Sequence, residues 1–273
     1  MKKLLMVLLC AMAVLVAGCG DKFAKEKEAM SKAEETALSV EVPVLVRPVY
    51  SKNSRPTQED YAKYHANIKK LIAIEENIIA VTRKSDSTIA ELLKKAENDS
   101  EKKGLNEFKE KLRQNRIAFV KKVSKGRLWG DTYIVGAGST WQEIEMVYGQ
   151  PLKKTEANFE YEGIAFSDWY TKGVPPKGYK FVSDGPQGVF VNDKCSLTSD
   201  AGIRIGMPKD EVLKTLKAKY KKRMPDQKDE MYVVHNSTEV LHVIQYSIED
   251  TFPYHVVSQF KDGKLKSYVI APY

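Results

Sequence analysis

The chain has 273 residues, of which 29% are charged and 42% hydrophobic, and its 44 Lys or Arg against 36 Asp or Glu give a net charge of +8. With only Cys10, Cys19 and Cys195, it holds no disulfide framework and no thiolate metal site. The basic excess favours anionic surfaces or acidic polymers as electrostatic partners.

Residues 1–20 read MKKLLMVLLCAMAVLVAGCG: a basic start at Lys2 and Lys3, an apolar run from Leu4 to Ala17, and small residues ending at Cys19. That order matches a secretory signal, and the run is short for a membrane span of about 20 residues. Val16-Ala17-Gly18-Cys19 resembles a bacterial lipobox. The resemblance implies cleavage before Cys19 and diacylglycerol on its thiol, with residues 1–18 as signal peptide. Each buried methylene adds about 0.8 kcal/mol, so two or three acyl chains anchor the protein stably. Gly20 stands where aspartate is the usual inner-membrane retention signal. The outer membrane is therefore expected in a two-membrane cell, and the outer face of the cytoplasmic membrane otherwise. Without Lys2 and Lys3 the side-chain charge is 8 − 2, or +6. Export argues against nucleic acid as a partner. Cys195 has no partner cysteine and reads as a small buried strand residue.

Residues 19–56 start rich in Lys and Glu and read as a lipidated tether. Val42, Val44 and Val46 alternate as in a short strand, which Pro43 and Pro48 confine to a sheet edge or exclude from a sheet. Residues 57–127 read as a helical domain, either a hairpin or a three-helix unit. Thr57 with Asp60 makes a cap, and Ile68, Leu71, Ile72, Glu75, Ile78, Ile79 and Thr82 recur at helical spacing. Further apolar sets follow "KSDS" (Ile89, Leu92, Leu93, Ala96) and Gly104 (Leu105, Phe108, Leu112, Phe119, Val120, Val123). Residues 102–127 carry ten Lys or Arg against Glu107 and Glu110. They suit a solvated helix face or contact with an anionic polymer.

The rest reads as two α+β repeats, 128–205 and 206–273. An offset of 68 lays "GSTWQEIEMVYGQP" on "GMPKDEVLKTLKAK", with Gly138 on Gly206, Glu143 on Glu211, Ile144 on Val212 and Tyr148 on Leu216. An offset of 70 lays "FVNDKC" on "FKDGKL", with Asn-Asp and Asp-Gly at a tight hairpin turn. Two matches in the same order point to a tandem duplication. In the first copy Thr140 and Glu143 form a capping box, and Gly149 with Pro151 stops the helix. In the second, Pro208 replaces the cap and shifts the expected start by one residue, and the helix has no glycine stop. Strands are expected in "FEYEGIAF", "MYVVHN", "VLHVIQYSI", "YHVVSQF" and "SYVIAPY", paired antiparallel.

These segments together resemble the tandem repeat of β-lactamase inhibitor proteins. They are also similar to the single unit of small outer-membrane lipoproteins that accompany the β-barrel assembly machine. The resemblance covers residues 133–273. It implies a helical pair on a four-stranded antiparallel sheet per repeat, and two sheets forming a concave protein-binding surface. No inhibitory contact residue matches here, so β-lactamase inhibition is not carried over.

No catalytic constellation emerges, and neither a cofactor nor a metal site is expected. The glycines of "GIRIGMPK" lack phosphate-loop or dinucleotide spacing. His65, His235, His242 and His255 lack zinc-motif spacing, and His242 reads as a half-exposed strand residue. The serines sit in no nucleophile elbow. The candidate partner-binding residues are Tyr161 and the aromatics of "AFSDWYTKGVPPKGYKF", namely Trp169, Tyr170, Tyr179 and Phe181. Rigid aromatic surface anchors interfaces at low entropy cost, though the same rings also suit a sugar or the sheet's own core. Two functions fit: an anchored envelope lipoprotein binding a protein partner, or one binding peptidoglycan, an anionic glycan or a small ligand.

Overall fold

The computed structural model of the protein describes residues 21–43, 45, 57–128, 130–168, 185–223, 231–245 and 254–272. The fold is α+β, with five helices and one eight-stranded antiparallel sheet among the described residues. Two units make it up: residues 1–40 with 80–115, and residues 41–79 with 116–273. Cys19, Trp169, Tyr170, Tyr179 and Phe181 lie outside the described residues, as do Val44 and Val46 of the valine alternation.

In the first unit the expected tether is partly a helix, α1 (Ala24–Leu38). Phe23 and Met30, seven residues apart, bury one face of it with Ile89, Leu92, Leu105 and Leu112. Lys27 Nζ meets Asp21 Oδ2 at 2.6 Å and donates to the Gly104 carbonyl at 3.1 Å. Composition alone hid this element: a strongly polar segment becomes ordered when two well-spaced apolar anchors find a partner surface.

The expected breaks at "KSDS" and Gly104 are absent. α2 (Gln58–Lys95) is unbroken for 38 residues and α3 (Asp99–Val123) for 25, so residues 57–127 contain two long helices rather than three. Within α2 the hydroxyls of Ser85 and Thr88 bond to the carbonyls of Val81 and Lys84, at 3.3 and 2.9 Å, so they accompany the helix instead of ending it. The turn falls at Glu97–Asn98, where Asn98 Oδ1 accepts from the Glu101 amide (2.9 Å) and Glu101 Oε2 accepts from the Glu97 amide (2.8 Å). At the start of α2, the Asp60 amide donates to Thr57 Oγ1 at 3.2 Å.

In the second unit α4 (Trp141–Tyr148) precedes β1 (Lys153–Thr155), β2 (Asn158–Tyr161), β3 (Ile164–Ser167) and β4 (Gly188–Val191). Then α5 (Lys209–Arg223) precedes β5 (Met231–Asn236), β6 (Val240–Gln245), β7 (Tyr254–Lys261) and β8 (Lys264–Pro272). The strand order is β1-β2-β3-β4-β8-β7-β6-β5. The two four-strand halves thus join through their last strands into one sheet, where the resemblance implied two, and a single helix precedes each half where it implied a pair.

The approach to each helix has the same backbone at the offset of 68. Ile134 and Gly202 have φ of 79° and 92°, and Gly138 and Gly206 have 91° and 84°. Ser139 N donates to Gly136 O as Met207 N does to Arg204 O, at 3.0 and 3.2 Å. Both helices begin at equivalent positions, Trp141 and Lys209, so Pro208 does not shift the start. Proline suits the residue before a first helical turn because no amide is needed there. The second sequence match joins unlike places. "FKDGKL" is the β7–β8 hairpin, with Asp262 and Gly263 at φ of 52° and 72°. "FVNDKC" ends β4 in a turn closed from Cys195 N to Asn192 O at 3.0 Å. Cys195 is free and buried in that turn rather than in a strand.

Candidate functional site

Alternation along the strands sorts side chains onto two faces. One register row runs Phe159, Phe166, Val189, Ile270, Val256, Val243, and every member is buried. α4 covers this face: the Trp141 ring lies 4.6 Å from Phe159 and the Tyr148 ring 5.4 Å from Phe166. α5 covers it too, with Val212 and Leu216 buried and Lys209 Nζ 5.8 Å from the Phe260 ring centroid.

The adjacent row belongs to the opposite face and crosses the sheet as Glu160, Ala165, Phe190, Val269, Val257, His242, with Lys153 and His235 as the register partners at its two ends. Glu160 through His242 are half-buried rather than buried. Its middle four members are apolar. Around them stand polar groups: Lys153 paired with Glu160 at 3.6 Å, and Ser267 donating to Gln259 at 2.9 Å. An apolar centre inside a polar rim is the anatomy of a protein interface. The sequence marked the strands that carry Ala165, Val257 and Val269 but not which face the helices would cover, and it read Phe190 only as the start of a hairpin turn, so these four escaped notice.

At one end of this face His242 Nε2 and His255 Nδ1 are 3.2 Å apart, with ring centroids 5.1 Å apart at 64°. Burial, and then the neighbouring His242, hold the His255 imidazole below its ordinary pKa. His242 is half-buried in its strand.

Tyr161 belongs to the helix-covered side. Its ring lies 5.1 Å from Tyr148 and 6.2 Å from Phe166, and its hydroxyl donates to the Gly149 carbonyl at 3.1 Å. Burial raises its pKa. These contacts make it a support for α4, on the opposite face from the row through Phe190 and Val269.

The basic stretch also divides. Arg116 and Arg127 are buried, while eight others from Lys102 to Lys125 are exposed or half-buried. Arg127 donates through Nη2 to Glu143 Oε1 and through Nη1 to the Gly138 carbonyl at 3.0 Å. Glu143 completes the expected capping box: its Oε2 accepts from Thr140 N at 2.9 Å, and its own amide donates to Thr140 Oγ1 at 3.1 Å. Thr140 Oγ1 in turn donates to Glu75 Oε2 at 2.6 Å. Desolvation, with Glu143 beside it, pushes Glu75 up to about 9, so Glu75 keeps its proton at neutral pH. Desolvation also raises Glu143, against the pull of Arg127. Both carboxyls are fully buried. Buried throughout, this cluster ties α2, α4 and the end of α3 together.

No protein-family model matches the sequence, and no curated protein or solved structure matches it. Among the described residues no helix is long and apolar enough to cross a membrane, and no group of three or more His, Cys, Asp or Glu side chains is placed to hold a metal ion.

Proposed function

We propose that the protein is a membrane-anchored bacterial envelope lipoprotein, a non-catalytic module that binds a protein partner on the sheet face turned away from α4 and α5. The observation that carries this reading is the half-buried row Ala165, Phe190, Val269 and Val257, apolar across four adjacent strands and rimmed by polar groups. Anchoring follows from the lipobox-like Val16-Ala17-Gly18-Cys19. The likeness to tandem β-lactamase-inhibitor repeats, whose sheets bind protein, points the same way. The partner is an envelope or secreted protein that presents apolar surface of its own, because the centre of the row has no charge to match.

Affinity capture from envelope extracts tests this. The full chain retains its partner in both 50 mM and 500 mM salt, about a threefold change in Debye length, and Val257→Lys abolishes retention with little change in Tm. Retention that collapses with salt, yet survives Val257→Lys, would favour instead an anionic polymer held by the exposed lysines of residues 102–127.

A further inference from the structure

We propose that His242 and His255 form a two-imidazole site for a borderline transition-metal ion, Cu2+ or Zn2+, on the face of the sheet away from α4 and α5. The site does not depend on a protein partner. His242 stands opposite Val257 and His255 opposite Ile244, so the two histidines are diagonal neighbours on paired strands and share one face. Their nearest nitrogens are 3.2 Å apart. Two Zn–N bonds of about 2.0–2.1 Å at the tetrahedral angle place their nitrogens about 3.3–3.4 Å apart, and a cis pair on a tetragonal ion comes closer still. The observed spacing falls between these two geometries, so the nitrogens already stand at a ligating separation, and binding requires the rings to turn until both lone pairs aim at the metal.

Paired strands fix both backbones, which removes most of the ordering cost that a pair of imidazoles on a loop would bear. The chemistry of the donors is also right. Imidazole nitrogen is a ligand that suits both Cu2+ and Zn2+. In the metal-free protein the pair shares one N–H across the 3.2 Å contact. On binding, His242 ligates through Nε2 with its proton on Nδ1, and His255 through Nδ1 with its proton on Nε2. Two nitrogen donors select by softness: Cu2+ binds more tightly than Zn2+, and Mg2+, which prefers oxygen, does not bind.

The test is titration of the full chain with CuCl2, ZnCl2 and MgCl2 separately, followed by calorimetry and by 15N spectra of the imidazole rings. One equivalent of Cu2+ and of Zn2+ binds, Cu2+ more tightly, and the signals of His242 Nε2 and His255 Nδ1 shift. His242→Asn and His255→Asn each weaken binding at least tenfold while their melting temperatures stay near that of the parent; His65→Asn changes nothing. Absence of stoichiometric binding, binding that survives both substitutions, or displacement by Mg2+ would overturn the proposal. Should either variant unfold, the ring-nitrogen shifts in the unaltered chain decide: shifts confined to other histidines overturn it.

Discussion

Glu75 shows how a single residue can be read correctly for position and missed for chemistry. It lies in the heptad-like stripe with Leu71 and Ile78, and helical spacing therefore places it inward. What spacing does not show is the company it keeps: Thr140 is 65 residues away and Glu143 further. Its folded pKa of about 9 lies above the ordinary 4.5. Between those values the folded state holds a proton that the unfolded state has released, so stability falls as pH rises and the contribution is whole only below about pH 4.5. Glu75→Gln keeps an acceptor for Thr140 and a donor toward Glu143. It should raise stability at pH 8 by about 1–3 kcal/mol and flatten the decline of Tm between pH 5 and 9. A Tm profile parallel to that of the parent would show that Glu75 is ionised in the fold. Arg127→Met should cost about 3–5 kcal/mol in denaturant unfolding, because it leaves Glu143 buried without its counter-charge. A loss below 1 kcal/mol would mean that Glu143 is neutral.

At the scale of elements, the legible parts were those whose signals are local. Thr140–Glu143 capped α4, Asp262-Gly263 turned β7 into β8, and apolar, aromatic and β-branched runs marked β2, β3 and β5 to β8. Elements that depend on distant partners were not legible. α1 needs the surface built by Ile89, Leu92, Leu105 and Leu112, and β1 is a three-residue exposed strand identified only by pairing with β2. The serines of "KSDS" and Gly104 are turn-formers by type, but both lie inside helices held by packing. The role of α1 is open to direct measurement. Phe23→Ala removes a ring that is 4% exposed and should cost the first unit about 3 kcal/mol, seen as faster amide hydrogen exchange at Leu105 and Leu112. Unchanged exchange would mean that residues 21–38 are a tether after all.

For the whole molecule, the proposed function rests on the sheet. Eight strands in one antiparallel array place α4 and α5 on one face and leave the row through Phe190 and Val269 on the other. The offset of 68 foretold two similar halves; their fusion through β4 and β8 was not legible, because strand order depends on long-range pairing. Cys19→Ala should move the protein from the membrane to the soluble fraction and abolish lipid labelling, and retention in membranes would remove the anchor from the account. The central claim is that the sheet face opposite α4 and α5 holds a protein. A photo-crosslinking residue at Val269, compared with one at the exposed Lys217 on α5, tests it most directly in intact cells. The account predicts a discrete protein adduct from position 269 and none from 217; adducts from 217 alone, or none of defined mass from 269, would contradict it.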